Sequence, residues 1–236
     1  MATKTFLLDL DNTLLGNDMA TFLPPYFDAL QRSLQALADG QDLKASMIAS
    51  VRVMQANQDP NLTNYEAFMA DFVRRIGQPR AMVEASVDSF YANDYPALQR
   101  YTQLRPEARQ IILQLQQQGR TAVIATNPLF PATAIEQRLA WAGIDDLPVA
   151  LVTHMQNCHF SKPNPGYYTE ILAKIEAQAE STWMVGDDVV NDIEPARSLG
   201  LKTWWITDEP EHNSGGPSDR QGSLSDFLVW LKSQDG

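Results

Sequence analysis

KTFLLDLDNT, residues 4–13, is an apolar run of strand length (Phe6, Leu7, Leu8, Leu10) that delivers two aspartates, Asp9 and Asp11, at its carboxyl end. Packing gives no reason to end a buried strand that way. Side chains at i and i+2 of a strand share a face, so Asp9 and Asp11 can converge on one ligand while Asn12 and Thr13 begin a turn. Two adjacent carboxylates repel, and one of them holds a proton unless a cation lies between them. The pair therefore points to a divalent metal. Carboxylate oxygens suit Mg²⁺, which keeps several waters and is commonly shared with substrate phosphate. The competing reading is a solvated turn after a strand, and the rest of the chain has to decide between them.

The 236 residues are 44% hydrophobic, ample for a real core, and fit either one large domain or a core with an insertion. Eighteen Lys and Arg against 29 Asp and Glu leave a formal charge of −11 with no basic run, so nucleic-acid polymers and anionic membranes are not expected partners. An anionic ligand would need positive charge recruited locally, by a metal, a lysine or helix amino termini. The single cysteine, Cys158, cannot form an intrachain disulfide, which fits a reducing compartment. With neither a signal-peptide pattern nor a bilayer-length apolar stretch, the expected location is the cytoplasm. A short glutamine-rich turn at 114–118 reads as the solvent face of a helix.

After Thr13 the period changes from two to 3.6 and stays helical for too long to be a βα loop. Pro24 and Pro25 suit a helix start, with Tyr26, Phe27, Leu30, Leu34 and Leu37 at helical spacing until Gly40. A second helix is expected over residues 43–55. Thr63-Asn64-Tyr65-Glu66 is a capping box, with Leu62 placed to staple against Ala67, before a helix bearing Phe68, Phe72, Val73 and Ile76 that ends at Gly77. A further helix is expected over 80–91. Residues 15–101 thus read as a helical domain inserted directly after the aspartate pair.

From Leu104 helix and strand alternate as in an α/β sheet. Pro106 opens a helix with an Ala108, Ile111, Ile112 and Leu115 stripe and a Gly119 cap, and strand 121–125 then ends in Thr126-Asn127-Pro128. Helix 132–142, capped by Gly143, precedes strand 149–153. Lys162 lies in a proline-fixed segment before a helix bearing Tyr168, Ile171, Leu172 and Ile175. Strand 182–185 ends in Gly186-Asp187-Asp188, and Asn191 and Asp192 start a helix that closes at Gly200. Strand 202–207 carries Trp204 and Trp205, expected to lie under a final helix at 224–231, after a polar loop at 208–222. Ligands of parallel sheets sit at strand carboxyl ends near the point where strand order reverses. Asp9, Asp11, Thr126, Asn127, Lys162, Asp187, Asp188 and Asp192 all fall at or just beyond such ends, and that coincidence is the argument for a site.

In these residues the sequence resembles the haloacid-dehalogenase superfamily of phosphohydrolases. DLDNT (9–13) is similar to motif I, ATN (125–127) to motif II, Lys162 in SKP to motif III, and GDDVVND (186–192) to motif IV. The resemblance implies a three-layer α/β/α Rossmann-like core with a parallel sheet, made of 1–14 and 102–236, and an α-helical C1 cap at 15–101. It also implies roles. Asp9 would be the nucleophile that becomes an aspartyl phosphate, and Asp11 the general acid and then base. Mg²⁺ would be held by the Asp9 carboxylate, the Asp11 backbone carbonyl and Asp187. Thr126 and the Asn127 backbone would hold the phosphoryl oxygens, and Lys162 would offset their charge. Asp188 and Asp192 would orient Lys162 or metal-bound water. Asp192 stands one position farther from Asp187 than in the commonest form of motif IV, and a carboxylate at a helix amino terminus is its competing reading.

An aspartate at position 11 argues against carbon–halogen hydrolysis, since the dehalogenases of this resemblance lack one there. Phosphonate hydrolysis would need a cap lysine, and Lys44 is the only one in that stretch, with nothing to mark it as desolvated. The expected activity is Mg²⁺-dependent hydrolysis of a small phosphorylated metabolite, with Asn17, Asp18, Phe22 and Tyr26 as candidate readers of the leaving group. A sugar phosphomutase of the same fold and a non-catalytic phosphate-binding module are the alternatives. His154 and His159 around Cys158 lack a fourth ligand and read as polar surface.

Overall fold

The computed structural model describes residues 4–37, 42–208 and 218–234. The chain opens with β1 (Thr5–Leu8), then β2 (Leu15–Gly16) and four helices: α1 (Met19–Ser33), α2 (Leu43–Gln55), α3 (Asn64–Ile76) and α4 (Arg80–Asn93). A 3₁₀ segment, Tyr95–Tyr101, leads into β3 (Gln103–Leu104). There follow α5 (Pro106–Gln117), β4 (Thr121–Ile124), α6 (Ala132–Trp141), β5 (Leu151–Val152), α7 (Pro165–Lys174) and β6 (Thr182–Gly186). A π-helical turn, Val189–Ile193, feeds α8 (Glu194–Ser198), and β7 (Lys202–Ile206), β8 (Arg220–Gly222) and α9 (Leu224–Lys232) complete the described strands and α-helices.

Six strands form one parallel sheet in the order β5-β4-β1-β6-β7-β8. Such a sheet must be covered on both faces, so its strands read as continuous apolar runs rather than alternating ones. β1 shows why. Phe6 and Leu8 point into a core shared with Ile111, Leu115, Phe227 and Leu231 of α5 and α9, while Leu7 points into a second core with Tyr168 and Ile171 of α7 and Ala196 of α8. Three layers follow. Strand order reverses at β1, which has β4 on one side and β6 on the other, and Leu8 is level with Ile124 and Val185. Asp9 therefore leaves the sheet beside the ends of both neighbours.

The helices between β2 and β3 start and stop on local chemistry. α1 begins at Met19 because the Asp18 carboxylate accepts from Ala20 N (3.0 Å) and Thr21 Oγ1 (2.7 Å), so Pro24 and Pro25 lie inside the helix instead of opening it. The aspartate cap outweighed the proline signal. Gly40 lies outside the described residues. Thr63 caps α3 through Glu66 N (3.2 Å), but the Glu66 carboxylate goes to Arg80 (2.7 Å), and Gly77 ends the helix at φ 67°. β2 pairs antiparallel with β3, tying the entry of the helical stretch to its exit. Asn64 is fully buried and its Nδ2 donates to the carbonyls of Pro128 (3.3 Å) and Phe160 (3.1 Å), fastening α3 to loops beyond the sheet.

The expected loop at 208–222 divides. Residues 209–217 lie outside the described residues, while Arg220–Gly222 is an edge strand on β7. Arg-Gln-Gly offers no apolar signal, and the pairing is a main-chain matter. Trp204 is buried against Phe227 (ring centroids 5.2 Å) and Trp230 (5.1 Å) of α9, as the sequence led us to expect, and Trp205 is half-buried. Phe227 also meets Phe6 at 6.2 Å, so that ring joins Trp230 in clamping α9 to the sheet. Phe227→Ala is expected to lower stability by about 3–5 kcal/mol. Urea unfolding with an unchanged slope but a lower midpoint would show it, and a loss under about 1 kcal/mol would mean the C-terminal helix is not clamped this way.

Candidate active site

The strand register brings chemistry from three segments to one rung. Asp9 N donates to Val185 O (2.9 Å) and Ala125 N to Leu8 O (2.8 Å), so the residues just past β1, β4 and β6 emerge together. Lys162, on the loop before α7, enters this space from below. Its Nζ lies 2.7 Å from Asp9 Oδ1 and 2.6 Å from Asp192 Oδ1, and all three groups are buried. Asp187 lies at the rim, where Asn12 Nδ2 (2.7 Å) and Thr13 Oγ1 (3.3 Å) donate to it. Asn12 can turn back toward Asp187 because it holds φ 59°, a conformation asparagine tolerates.

Carboxylate oxygens of Asp9, Asp187 and Asp192 lie within 4.8 Å of one another. Burial pushes all three carboxyls up, Asp192 to about 8, and the pull of Lys162 on Asp9 and Asp192 is not enough to cancel it. Burial works against the Lys162 ammonium as well, but Asp192 and then Asp9 hold it charged well above its ordinary range. One ammonium cannot balance three carboxylates in a low-dielectric space. An all-oxygen donor set with uncompensated negative charge fits a hard divalent cation such as Mg²⁺.

Asp11 has different partners. Asn17 Nδ2 donates to its Oδ1 (2.7 Å) and Arg138 Nη1 to its Oδ2 (2.8 Å), so it lines the same cavity as Asp9 but is held from the opposite side. Arg138 is completely buried on α6. Its Nε donates to Tyr95 OH (2.7 Å), its guanidinium lies 3.9 Å from the Phe130 ring centroid, and Nη2 has no partner among the described residues. The ion pair and the aromatic face offset the cost of burying that charge. Sequence reasoning missed Arg138 because it sits within the apolar stripe of an ordinary helix. An arginine at a position where the helical period demands an apolar residue was the available signal.

Thr126 and Asn127 line the cavity at the end of β4. The Thr126 carbonyl accepts from Thr153 Oγ1 (2.7 Å) and Tyr167 OH (2.9 Å), and Asn127 Oδ1 accepts from Lys162 N (3.2 Å), which ties this turn to the lysine loop. Asp188 is exposed and caps Val190 N (2.9 Å) and Asn191 N (3.0 Å), while its own N–H reaches Asp192 Oδ2 (3.3 Å). Trp205 Nε1 donates to the Asp187 carbonyl (2.8 Å), a support that the sequence did not reveal. Among the four candidate readers, Asn17, Asp18 and Tyr26 line the cavity, whereas Phe22 is packed in the core. Lys44 is exposed, 5.4 Å from the Phe27 ring centroid and away from the acids. His159 pairs with Glu170 (2.8 Å) and His154 with Gln156 (3.0 Å), so the two do not converge on a shared ligand, and burial pushes the Cys158 thiol up to about 12.

A parallel α/β sheet with its acids gathered where the strand order reverses has them where such sheets bind their ligands. The chain matches the haloacid dehalogenase-like hydrolase family over residues 3–200 and belongs to it. Among characterised proteins it is 32% identical over 117 residues to the ribulose-1,5-bisphosphate 5-phosphatase of Halopiger xanaduensis, a match covering 50% of this chain and 48% of that one. The chain thus spans about half the length of that relative. Among solved structures, a 2-haloacid dehalogenase from Pseudomonas syringae superposes with TM-score 0.66 at 20% identity, covering 99% of this chain and 100% of that one. A HAD phosphatase from Thermococcus onnurineus gives 0.58 at 18%, covering 97% of each. At such identities these two show the fold.

Two variants probe the geometry. A Cβ on Gly186 would stand 2.1 Å from Asp192 Oδ2 and 2.9 Å from its Cβ. Gly186→Ala is therefore expected to push Asp192 off Lys162 and to lower stability by about 1–3 kcal/mol. A crystal structure with Asp192 unmoved at wild-type stability would contradict that. Arg138→Met is expected to cost about 2–4 kcal/mol, since Asp11 loses its ion-pair partner and Tyr95 its donor. In a double-mutant cycle with Asp11→Asn the coupling should be about 1–3 kcal/mol, and additive losses would mean the pair does not interact.

Proposed function

We propose that the chain is a Mg²⁺-dependent phosphohydrolase that cleaves a small phosphate monoester through an aspartyl phosphate on Asp9. The observation that carries this is the separation of the two aspartates: Asp9 lies with Lys162 among the other acids, and Asp11 is held apart by Arg138 and Asn17. Two carboxylates two residues apart in different surroundings suit two different tasks. The relative from Halopiger, named as a phosphatase, supports the same reaction class.

In this reading Asp9 attacks phosphorus and the ester bond breaks, with a proton passing from Asp11 to the departing oxygen. Asp11 then takes a proton from water as that water displaces Asp9. Each Asp11 oxygen accepts one hydrogen bond, from Asn17 and from Arg138, which leaves a second lone pair on each oxygen to take or give the proton. Thr126 and Asn127 hold the phosphoryl oxygens and Lys162 offsets their charge. Asp192 keeps Lys162 in place and Asp188 braces Asp192 through its backbone. The Asp9 and Asp187 carboxylates and the Asp11 backbone carbonyl would hold Mg²⁺, which would supply the remaining positive charge. Residues 15–101 act as a cap over the core formed by 1–14 and 102–236, shutting water out of the site. Among the described residues no helix is long and apolar enough to cross a membrane. We place the protein in the cytoplasm, acting on a small phosphorylated metabolite.

Phosphate release from a panel of monoesters is expected with Mg²⁺ and to vanish with EDTA. Asp9→Asn should lower turnover about a thousandfold or more. Release that persists in EDTA or in Asp9→Asn would remove the metal or the nucleophile from the reading. Mg²⁺ at about 100 times its Kd should also raise stability by about 2.7 kcal/mol, and Asp187→Asn should abolish that rise in a thermal melt.

A further inference from the structure

A cavity of about 510 Å³ runs from Asp9 and Asp11 into the helices between β2 and β3. Beyond the acids its wall is apolar: Leu23, Phe27 and Leu30 of α1, Ile48 and Val51 of α2, and Phe68 of α3. Helical aromatics and aliphatics ordinarily read as core, but cores are packed to crystal density with few voids larger than a water. A space of this size, continuous with the acids, is in the range that holds a whole small molecule.

The tyrosines along this wall are already engaged. Tyr26 and Tyr91 share a hydrogen bond (2.9 Å), and Tyr65 OH donates to Glu84 (3.2 Å). Arg52 and Gln55 are exposed. A sugar would leave its hydroxyls unpaired against hydrocarbon, at a loss of roughly tenfold in affinity for each. A second phosphate would find one exposed arginine on this wall where it needs a buried cationic cluster.

We propose that the substrate is a phosphate monoester of an apolar alcohol, alkyl or aryl, whose hydrocarbon fills this cavity while its phosphate meets Asp9. This deepens the phosphohydrolase reading and rests on it. The relative from Halopiger is named for a bisphosphate; the wall described here fits a single phosphate with an apolar tail.

The test is phosphate release with Mg²⁺ from n-alkyl phosphates, ethyl through octyl, beside a pentose monophosphate and a hexose bisphosphate. kcat/KM is expected to climb about two- to fourfold per methylene, with octyl phosphate at least tenfold above either sugar ester. A flat series, or preference for a sugar ester, overturns the apolar substrate and leaves the phosphatase standing. No release from any ester overturns both. Val51→Asp should cut the octyl-to-ethyl ratio at least tenfold and the near-isosteric Val51→Thr a few-fold. Because that ratio compares two substrates on one protein sample, partial misfolding cancels. A ratio unchanged in both variants also overturns the proposal.

Discussion

Lys162 Nζ sits 2.7 Å from Asp9 and 2.6 Å from Asp192 with Asp187 close by, in a space largely sealed from water. That excess of negative charge is tolerable only because four chain segments deliver their groups to one spot. β1 brings Asp9, the loop before α7 brings Lys162, β6 brings Asp187, and the π-helical turn brings Asp192. Removing the lysine would leave the acids repelling one another, and removing Asp9 or Asp192 would leave the ammonium with one partner. The sheet order is what makes the cluster possible, because β1 must lie between β4 and β6 for their ends to meet. Gly186 belongs to the same constraint: a side chain there would occupy the place of the Asp192 carboxylate.

Arg138 builds a second ion pair a few residues' reach from the first and keeps it separate. Its fork spans Asp11 and Tyr95, and Tyr95 belongs to the segment that leads from the helices between β2 and β3 back to the sheet. Asn17, the other donor to Asp11, lies in the segment that leads in. Both connections between the helices and the sheet therefore end on the same carboxylate. A shift of the helices relative to the sheet would have to strain or break one of those contacts, which couples helix position to the Asp11 carboxylate.

Much of this was legible in the sequence because strand ends are local features. Asp9, Thr126 and Asp187 follow apolar runs whose lengths fix where the sheet stops, and α2 spans the residues its periodicity gave it. Arg138, Tyr95 and Trp205 were not legible, since each acts on a group from a distant segment: Arg138 reaches Asp11 across 127 positions. The start of α1 was misjudged where two local signals competed, an aspartate cap at Asp18 and prolines at 24 and 25. β8 escaped because three polar residues pair through backbone alone.

The apolar wall shows a different limit. Leu23, Phe27, Ile48, Val51 and Phe68 carry the spacing of buried helix faces, and periodicity alone makes them indistinguishable from Phe72 or Ile76, which are packed solid. Whether an apolar face meets another face or an empty volume depends on how far apart α1, α2 and α3 stand. Ser50 of α2 donates to Asp71 of α3 (2.9 Å), and the Asn64 hydrogen bonds fasten α3 to the core loops, both away from the cavity. The hydrophobic surface that Leu23, Phe27, Ile48, Val51 and Phe68 expose there is a standing cost that an apolar ligand would relieve by displacing its water.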